Sequence, residues 1–211
     1  MLLTVVDYGV GNLRSIAKSI EKANFDNNLN YSVKVSSNVN DVKKSDKIVL
    51  PGQGSFKACK SGIDNIKGLH EELNESVLIK KKPIYGICAG MQLFATTGYE
   101  DKKTAGLDWI PGKVIKLDLR SLKLKIPHMG WNELKIENNS KVFKDAINNN
   151  HAYFIHSFEF IPDDKNNISI KTNYGKDVTA AVSFENIYGS QFHPEKSQNT
   201  GIKILTNFLK L

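Results

Sequence analysis

The chain is predicted to be an α/β protein, with a central, mostly parallel sheet flanked by helices and an added, mostly antiparallel layer. Three observations carry this. Over the first hundred or so residues, short apolar runs alternate with stretches of helical periodicity, the pattern that lays parallel strands side by side with helices on both faces. The runs 47–50 and 84–87 show no polar alternation, as befits strands covered on both sides. Beyond residue 110 the pattern changes to strands joined by turn dipeptides such as Asn138-Asn139 and Glu185-Asn186.

The elements follow in order. Residues 2–6 are an apolar strand that stops at Asp7-Tyr8-Gly9-Val10-Gly11. Asn12 stands where a helix cap belongs, ahead of Leu13, Ile16, Ala17 and Ile20, spaced i, i+3, i+4, i+7. A strand over about 31–35 precedes a second, Lys47-Ile48-Val49-Leu50, which ends at Pro51-Gly52-Gln53-Gly54, with Cys59 in a helix beyond. Leu69, Leu73 and Val77 predict an amphipathic helix that Pro83 terminates. Ile84-Tyr85-Gly86-Ile87 is a buried strand leading to Cys88 and a helix bearing Met91, Leu93, Phe94 and Ala95. Strands are then predicted over Val114–Leu119, Lys125–Lys135, Ala152–Ile161, Ile168–Thr172 and Val178–Gln191. Gly201–Leu211 closes the chain as a helix with Ile202, Leu205, Phe208 and Leu209 inward. With no repeat, low-complexity tract or linker, 1–211 is expected to be a single domain.

Composition narrows the function. At 211 residues, 40% hydrophobic and 24% charged, the chain can bury a core without disulfides or metal. Cys59 and Cys88 are too few for a secreted disulfide scaffold. The first residues carry no basic stretch ahead of the apolar run, unlike a signal peptide, and no run approaches the roughly 18 apolar residues of a membrane span. A cytoplasmic location is expected. The net charge of +7 raises a nucleic-acid reading, but only Arg14 and Arg120 carry the planar fork that grips phosphate and guanine. The remaining basic residues are scattered lysines, so a compositional bias towards lysine and asparagine accounts for the charge.

Three turns carry chemistry. Gly86-Ile87-Cys88-Ala89-Gly90 places a cysteine between a buried strand and a helix, flanked by small residues, as a nucleophile on a strained strand-to-helix turn requires. The following helix N-terminus favours thiolate over thiol. A buried core cysteine is the competing explanation. Gln191-Phe192-His193-Pro194-Glu195 puts a histidine and a glutamate two residues apart, on the same side of an extended chain, so Glu195 can fix the tautomer of His193. A surface pair at a strand end is the competing explanation there. Pro51-Gly52-Gln53-Gly54 can present backbone N–H groups to an oxyanion, or be a simple turn. It lacks the ending of a phosphate-binding P-loop. With five histidines and no spaced ligand set, neither a metal nor a cofactor is expected. All three turns follow strands predicted to be parallel, whose carboxyl ends share one edge, and together they suit acyl transfer through a thioester.

Here the sequence resembles the class I (triad-type) glutamine amidotransferases, whose fold is flavodoxin-like. Gly86-Ile87-Cys88-Ala89-Gly90-Met91-Gln92 is similar to that family's nucleophile motif and His193-Pro194-Glu195 to its second triad element. The segments 7–13, 51–56, 127–132, 153–157 and 193–198 resemble, over the whole chain, the glutaminase subunits of imidazole glycerol phosphate synthase. Amidotransferase subunits of anthranilate or aminodeoxychorismate synthase share the chemistry but usually carry a histidine where Met91 stands and lack the 127–132 block. They are one alternative; a free-standing Cys-His-Glu hydrolase is another. Gln53 and Ala89 depart from the residues common in the family, at positions thought to act through their backbone.

The resemblance implies Cys88, His193 and Glu195 as catalytic triad, and the backbone N–H groups of Gln53 and Ala89 as oxyanion hole. It implies Gly52, Gln92 and Glu100 as contacts to L-glutamine, with His156, Ser157 and Phe158 as an edge beside it. It also implies a heterodimer with a (β/α)8-barrel synthase subunit that receives ammonia and makes imidazole glycerol phosphate and an aminoimidazole carboxamide ribotide. Asn12, Met129, Trp131 and Lys196 are the expected interface residues, against the plainer possibilities of a helix cap for Asn12 and a core position for Trp131.

Overall fold

The fully buried runs of the sequence become the middle of an eight-stranded sheet. The computed structural model describes residues 1–119, 124–144 and 150–211. In chain order its first half contains β1 (Leu2–Val6), α1 (Leu13–Asp26), β2 (Ser32–Ser36), α2 (Val39–Lys44), β3 (Lys47–Leu50), α3 (Phe56–Asp64), α4 (Leu69–Asn74), β4 (Ile84–Ile87), α5 (Ala89–Gln92), β5 (Thr97–Tyr99) and β6 (Lys103–Ala105). The second half contains β7 (Gly112–Lys116), β8 (His128–Glu133), β9 (Lys135–Ile136), β10 (His151–His156), β11 (Phe158–Pro162), β12 (Ile168–Asn173), β13 (Asp177–Phe184), β14 (Ile187–Ser190) and α6 (Gln198–Leu209).

The sheet runs β2-β1-β3-β4-β14-β13-β12-β9. Its first five strands are parallel, and β13, β12 and β9 extend it antiparallel. Strands β3, β4 and β14 are buried along their whole length, as expected where both faces are covered. One face packs on α1 and α6 through Ile16, Ile20, Ile204 and Phe208, and the other on α3 and α4 through Phe56, Ile63, Leu69 and Leu73. Asn12 caps α1 by accepting from Ser15 N at 3.4 Å, and Ser55 caps α3 by accepting from Ala58 N at 3.1 Å.

Four differences from the sequence expectation bear on function. The second half does not form one added layer. It lengthens the main sheet, builds a β8–β10 pair, and joins β5 and β6 of the first half, which have no clear signal in the sequence, in a four-stranded sheet β11-β7-β5-β6. The run Val178–Gln191 is a hairpin that folds at Glu185, a residue with φ of +51°, and its second arm, β14, inserts parallel beside β4. The run Ala152–Ile161 breaks at Ser157 into β10 and β11, because each arm pairs in a different sheet. The helix expected through Val77 ends as α4 and continues as a π turn over Glu75–Ile79. Insertion of β14 matters most, since it sets the residues after Ser190 beside those after Ile87.

Candidate active site

The loops after β1, β3, β4 and β14 leave the sheet at the same edge and border a cavity of about 630 Å³. Cys88, His193 and Glu195 all line it, with Gln53, Ala89, Gln92, Glu100 and the 155–158 edge around them. Cys88 has φ +54° and ψ −113°, a backbone strain that costs a non-glycine residue about 1–3 kcal/mol. The strain is held by close packing behind the turn. A Cβ on Gly90 would lie 2.0 Å from the Leu50 carbonyl oxygen, and one on Gly52 would lie 2.0 Å from Gly90 N. The nucleophile turn and the 51–54 loop thus touch backbone to backbone, and Gly52 lies against that contact rather than lining the cavity. Helix α5 after Cys88 is a single turn, so its dipole is smaller than a full helix would supply.

His193 is only 8% exposed and donates from Nδ1 to Glu195 Oε1 at 2.8 Å. The pair forms because Pro194–Lys196 coils into a 3-10 turn directly after an extended His193, rather than by continuing extended as the spacing suggested. His193 N donates to Tyr153 O at 3.0 Å, and Ser197 Oγ donates to His193 O at 2.7 Å, which staples the loop to β10. Burial pulls the His193 pKa down, but the Cys88 sulfur and the Glu195 carboxylate outweigh it and push it up to about 10. The Glu195 side chain is 1% exposed and its Oε2 has no protein partner among the described residues, so its charge is directed to His193.

Gln92 donates both amide hydrogens to the protein, to Phe158 O at 3.1 Å and Gln191 Oε1 at 2.9 Å, which leaves its carbonyl as the group it can offer a ligand. Glu100 accepts from Phe56 N at 2.6 Å and also borders the cavity. The Phe158 carbonyl is already occupied by Gln92 and by His156 Nδ1 at 2.8 Å, so that part of the 156–158 edge is not open to a substrate. The 51–54 loop is tied down on its far side. Tyr8 Oη donates to Pro51 O, and the Cys59 thiol donates to Gln53 O at 3.6 Å. Burial pushes the Cys59 thiol up to about 11, so Cys59 stays a protonated donor.

Of the expected interface residues, Asn12 and Lys196 sit on the cavity border, and Asn12 is also the cap of α1. Met129 and Trp131 stand out on β8, 61% and 50% exposed, so Trp131 is not a core residue. Sequence reasoning missed Gln191 as a neighbour of the nucleophile. Its Nε2 lies 3.6 Å from Cys88 Sγ, and the only signal was its place two residues before His193. No helix among the described residues is long and apolar enough to cross a membrane.

The family model for glutamine amidotransferase class-I matches residues 4–211. The chain belongs to that family. A Pelagibacter ubique protein named imidazole glycerol phosphate synthase subunit HisH is 49% identical over 211 residues, covering all of both chains. The Brucella suis protein of the same name is 41% identical over 214 residues, covering 100% of this chain and 99% of its own. Among solved structures, one described as a glutamine amidotransferase superposes with a TM-score of 0.72 at 14% identity, covering 99% of each chain. A glutamine amidotransferase from Thermotoga maritima gives 0.65 at 15% identity, covering 92% of this chain and 76% of its own. At such identities these two speak for the shared fold alone.

Proposed function

We propose that this amidotransferase is the glutaminase subunit of an imidazole glycerol phosphate synthase, a single catalytic unit acting in the cytoplasm on L-glutamine for histidine biosynthesis. The observation that carries the reading is the strained Cys88 facing a buried His193 whose other nitrogen is held by a buried Glu195, inside one cavity. The names of the full-length relatives support the choice of acceptor.

The Cys88 thiolate attacks the carboxamide carbon of glutamine and forms the C–S bond. The oxyanion that develops is met by the N–H of Ala89, the first helical residue, which has no partner within α5. The N–H of Gln53 becomes the second donor once its peptide turns towards the cavity. His193, kept protonated by its two charged neighbours, gives its proton to the departing nitrogen, so the C–N bond breaks with release of ammonia. Water then enters, His193 takes a proton from it, and hydroxide cleaves the thioester to glutamate and free Cys88. Glu195 orients the imidazole and balances its charge throughout. The Glu100 carboxylate and the free carbonyl of Gln92 are acceptors suited to the α-ammonium of the substrate.

Ammonia passes to a (β/α)8-barrel synthase subunit docked over the cavity border. Met129, Trp131, Asn12 and Lys196 belong to the docking face, which the exposed apolar side chains on β8 favour. The test is glutamate production from L-glutamine by the purified chain, alone and with such a barrel subunit and its ribulosyl substrate. Low activity alone and strong stimulation by the partner is the expected result. Vigorous activity alone, indifferent to the partner, would favour a free-standing hydrolase.

A further inference from the structure

Between the β8–β10 pair and the nucleophile runs a series of buried and partly buried hydrogen bonds, each with one allowed direction, in two branches that meet at the Phe158 carbonyl. The Phe158 carbonyl can only accept, so the 2.8 Å contact from His156 Nδ1 requires a proton on that nitrogen. Burial and the nearby histidines hold the His156 pKa down to about 3, so the ring is neutral and its Nε2 is an acceptor. His128, paired directly opposite it on β8, must then donate through Nδ1 across 3.0 Å. Burial holds His128 at about 4, so it too is neutral, and its Nε2 accepts from the Asn132 amide at 3.2 Å. The second amide hydrogen of Asn132 goes to Asn173 O at 2.8 Å.

The same Phe158 carbonyl orders the other branch. Gln92 Nε2 donates to it and to Gln191 Oε1, so Gln191 cannot turn its amide round without setting two NH2 groups face to face. The locked orientation leaves Gln191 Nε2 pointing at Cys88 Sγ, 3.6 Å away, from a side chain with no solvent exposure. A buried amide that only filled space would be an unfavourable choice over a hydrocarbon of equal size.

We infer that Gln191 is a further catalytic residue, a fixed hydrogen-bond donor to the reacting sulfur, and that His128 and His156 are positioning residues that lock it through the Phe158 carbonyl. This rests on Cys88 being the nucleophile of a glutaminase. Gln191 steadies the thiolate before attack and the sulfur as the thioester collapses, while the histidine pair fixes the acceptor from which the amides of Gln92 and Gln191 take their orientation.

The experiment uses the complex with the barrel subunit and reads two quantities. One is steady-state glutaminase activity. The other is alkylation of Cys88 by iodoacetamide at pH 7, followed on the mass of the peptide that bears it. Gln191→Met keeps the volume and removes the donor. It is expected to lower kcat about tenfold with KM within about twofold, and to slow alkylation by a similar factor. Wild-type values for both in a folded Gln191→Met protein would overturn the inference for Gln191. His128→Phe keeps the stacking on Phe154 and Tyr174 but loses both nitrogens, whereas His128→Asn keeps a donor near the position of Nδ1 and loses the stacking. A tenfold loss for Phe, restored to within about threefold by Asn, supports the positioning role. An active Phe variant with a defective Asn variant would show that the ring matters only for packing and would overturn it. The underlying reading fails separately, if the wild-type complex makes no glutamate while Cys88 still alkylates.

Discussion

His193 and His156 are buried to nearly the same depth, 8% and 6% exposed, yet they hold protons in opposite senses. Desolvation is the largest influence on both and disfavours the charged ring in each. At His193 a sulfur and a carboxylate reverse it, and the pKa rises to about 10. At His156 the neighbours are a backbone carbonyl and a neutral ring, the hydrogen bond to the carbonyl offsets only part of the cost of a charge, and the pKa falls to about 3. The two regions also act on each other, because the charge on His193 is one of the influences that keep His156 neutral. Burial alone therefore makes a histidine a fixed dipole, and burial between a sulfur and a carboxylate makes it a proton store.

The most severe way to break this contrast is to remove one of the two groups that hold His193 protonated. Cys88→Ala should abolish glutamine-dependent synthesis, a loss beyond about 10³-fold, while synthesis from added ammonia on the partner persists. The same change should bring the His193 pKa down from about 10, as followed by NMR titration of the imidazole, because the sulfur contributes to holding it up. Equal loss of both syntheses would mean that the acceptor chemistry depends on Cys88 as well. Glu195→Gln removes the carboxylate and keeps the shape. Steady-state kinetics should show kcat reduced about 10³-fold, since the imidazole loses both its tautomer control and its counter-charge. A loss below tenfold would place that control elsewhere.

How far each region was readable from the sequence follows from the span of the contacts that make it. The nucleophile turn is set by five consecutive residues and the His193–Glu195 pair by three, so local rules reach both. The donor chain is built from strand pairing between residues 128 and 156 and from a contact between residues 92 and 191, neither of which has a local signature. The parallel sheet was legible because residues 48–50 and 84–87 show no polar alternation, and its flanking helices because their apolar residues recur at helical spacing. The place of β14 was not, because an apolar run does not reveal that its second arm inserts beside β4 instead of ending a meander. Even the His193–Glu195 contact, which the spacing predicts, is reached through a 3-10 turn that Pro194 initiates.

The contrast also predicts opposite pH dependences of stability. His128 and His156 are lowered from 6.5, so the folded state binds fewer protons than the unfolded state. Their contribution is complete above pH 6.5 and is lost as pH falls through about 4 for His128 and about 3 for His156. His193 is raised, so its contribution is complete below pH 6.5 and is lost as pH climbs towards about 10. Melting temperatures measured between pH 4 and 6.5 should fall less steeply for His128→Phe than for the wild type, by a few degrees over the window. Parallel slopes would remove His128 from the acid linkage.

The smallest effect is expected where the same logic is carried over to the second buried thiol. Cys59 has no exposed surface, and its burial pushes the thiol up to about 11. It resembles His156 in being a neutral donor to a carbonyl, so what the site needs from it is the hydrogen, not the sulfur. Cys59→Ser keeps that hydrogen and should leave glutaminase activity within about twofold, with iodoacetamide still modifying Cys88. A folded Cys59→Ser protein that lost more than tenfold would show that the 51–54 loop depends on the size or polarizability of the sulfur. The rule drawn from the histidines would then not extend to the groups that hold the oxyanion loop.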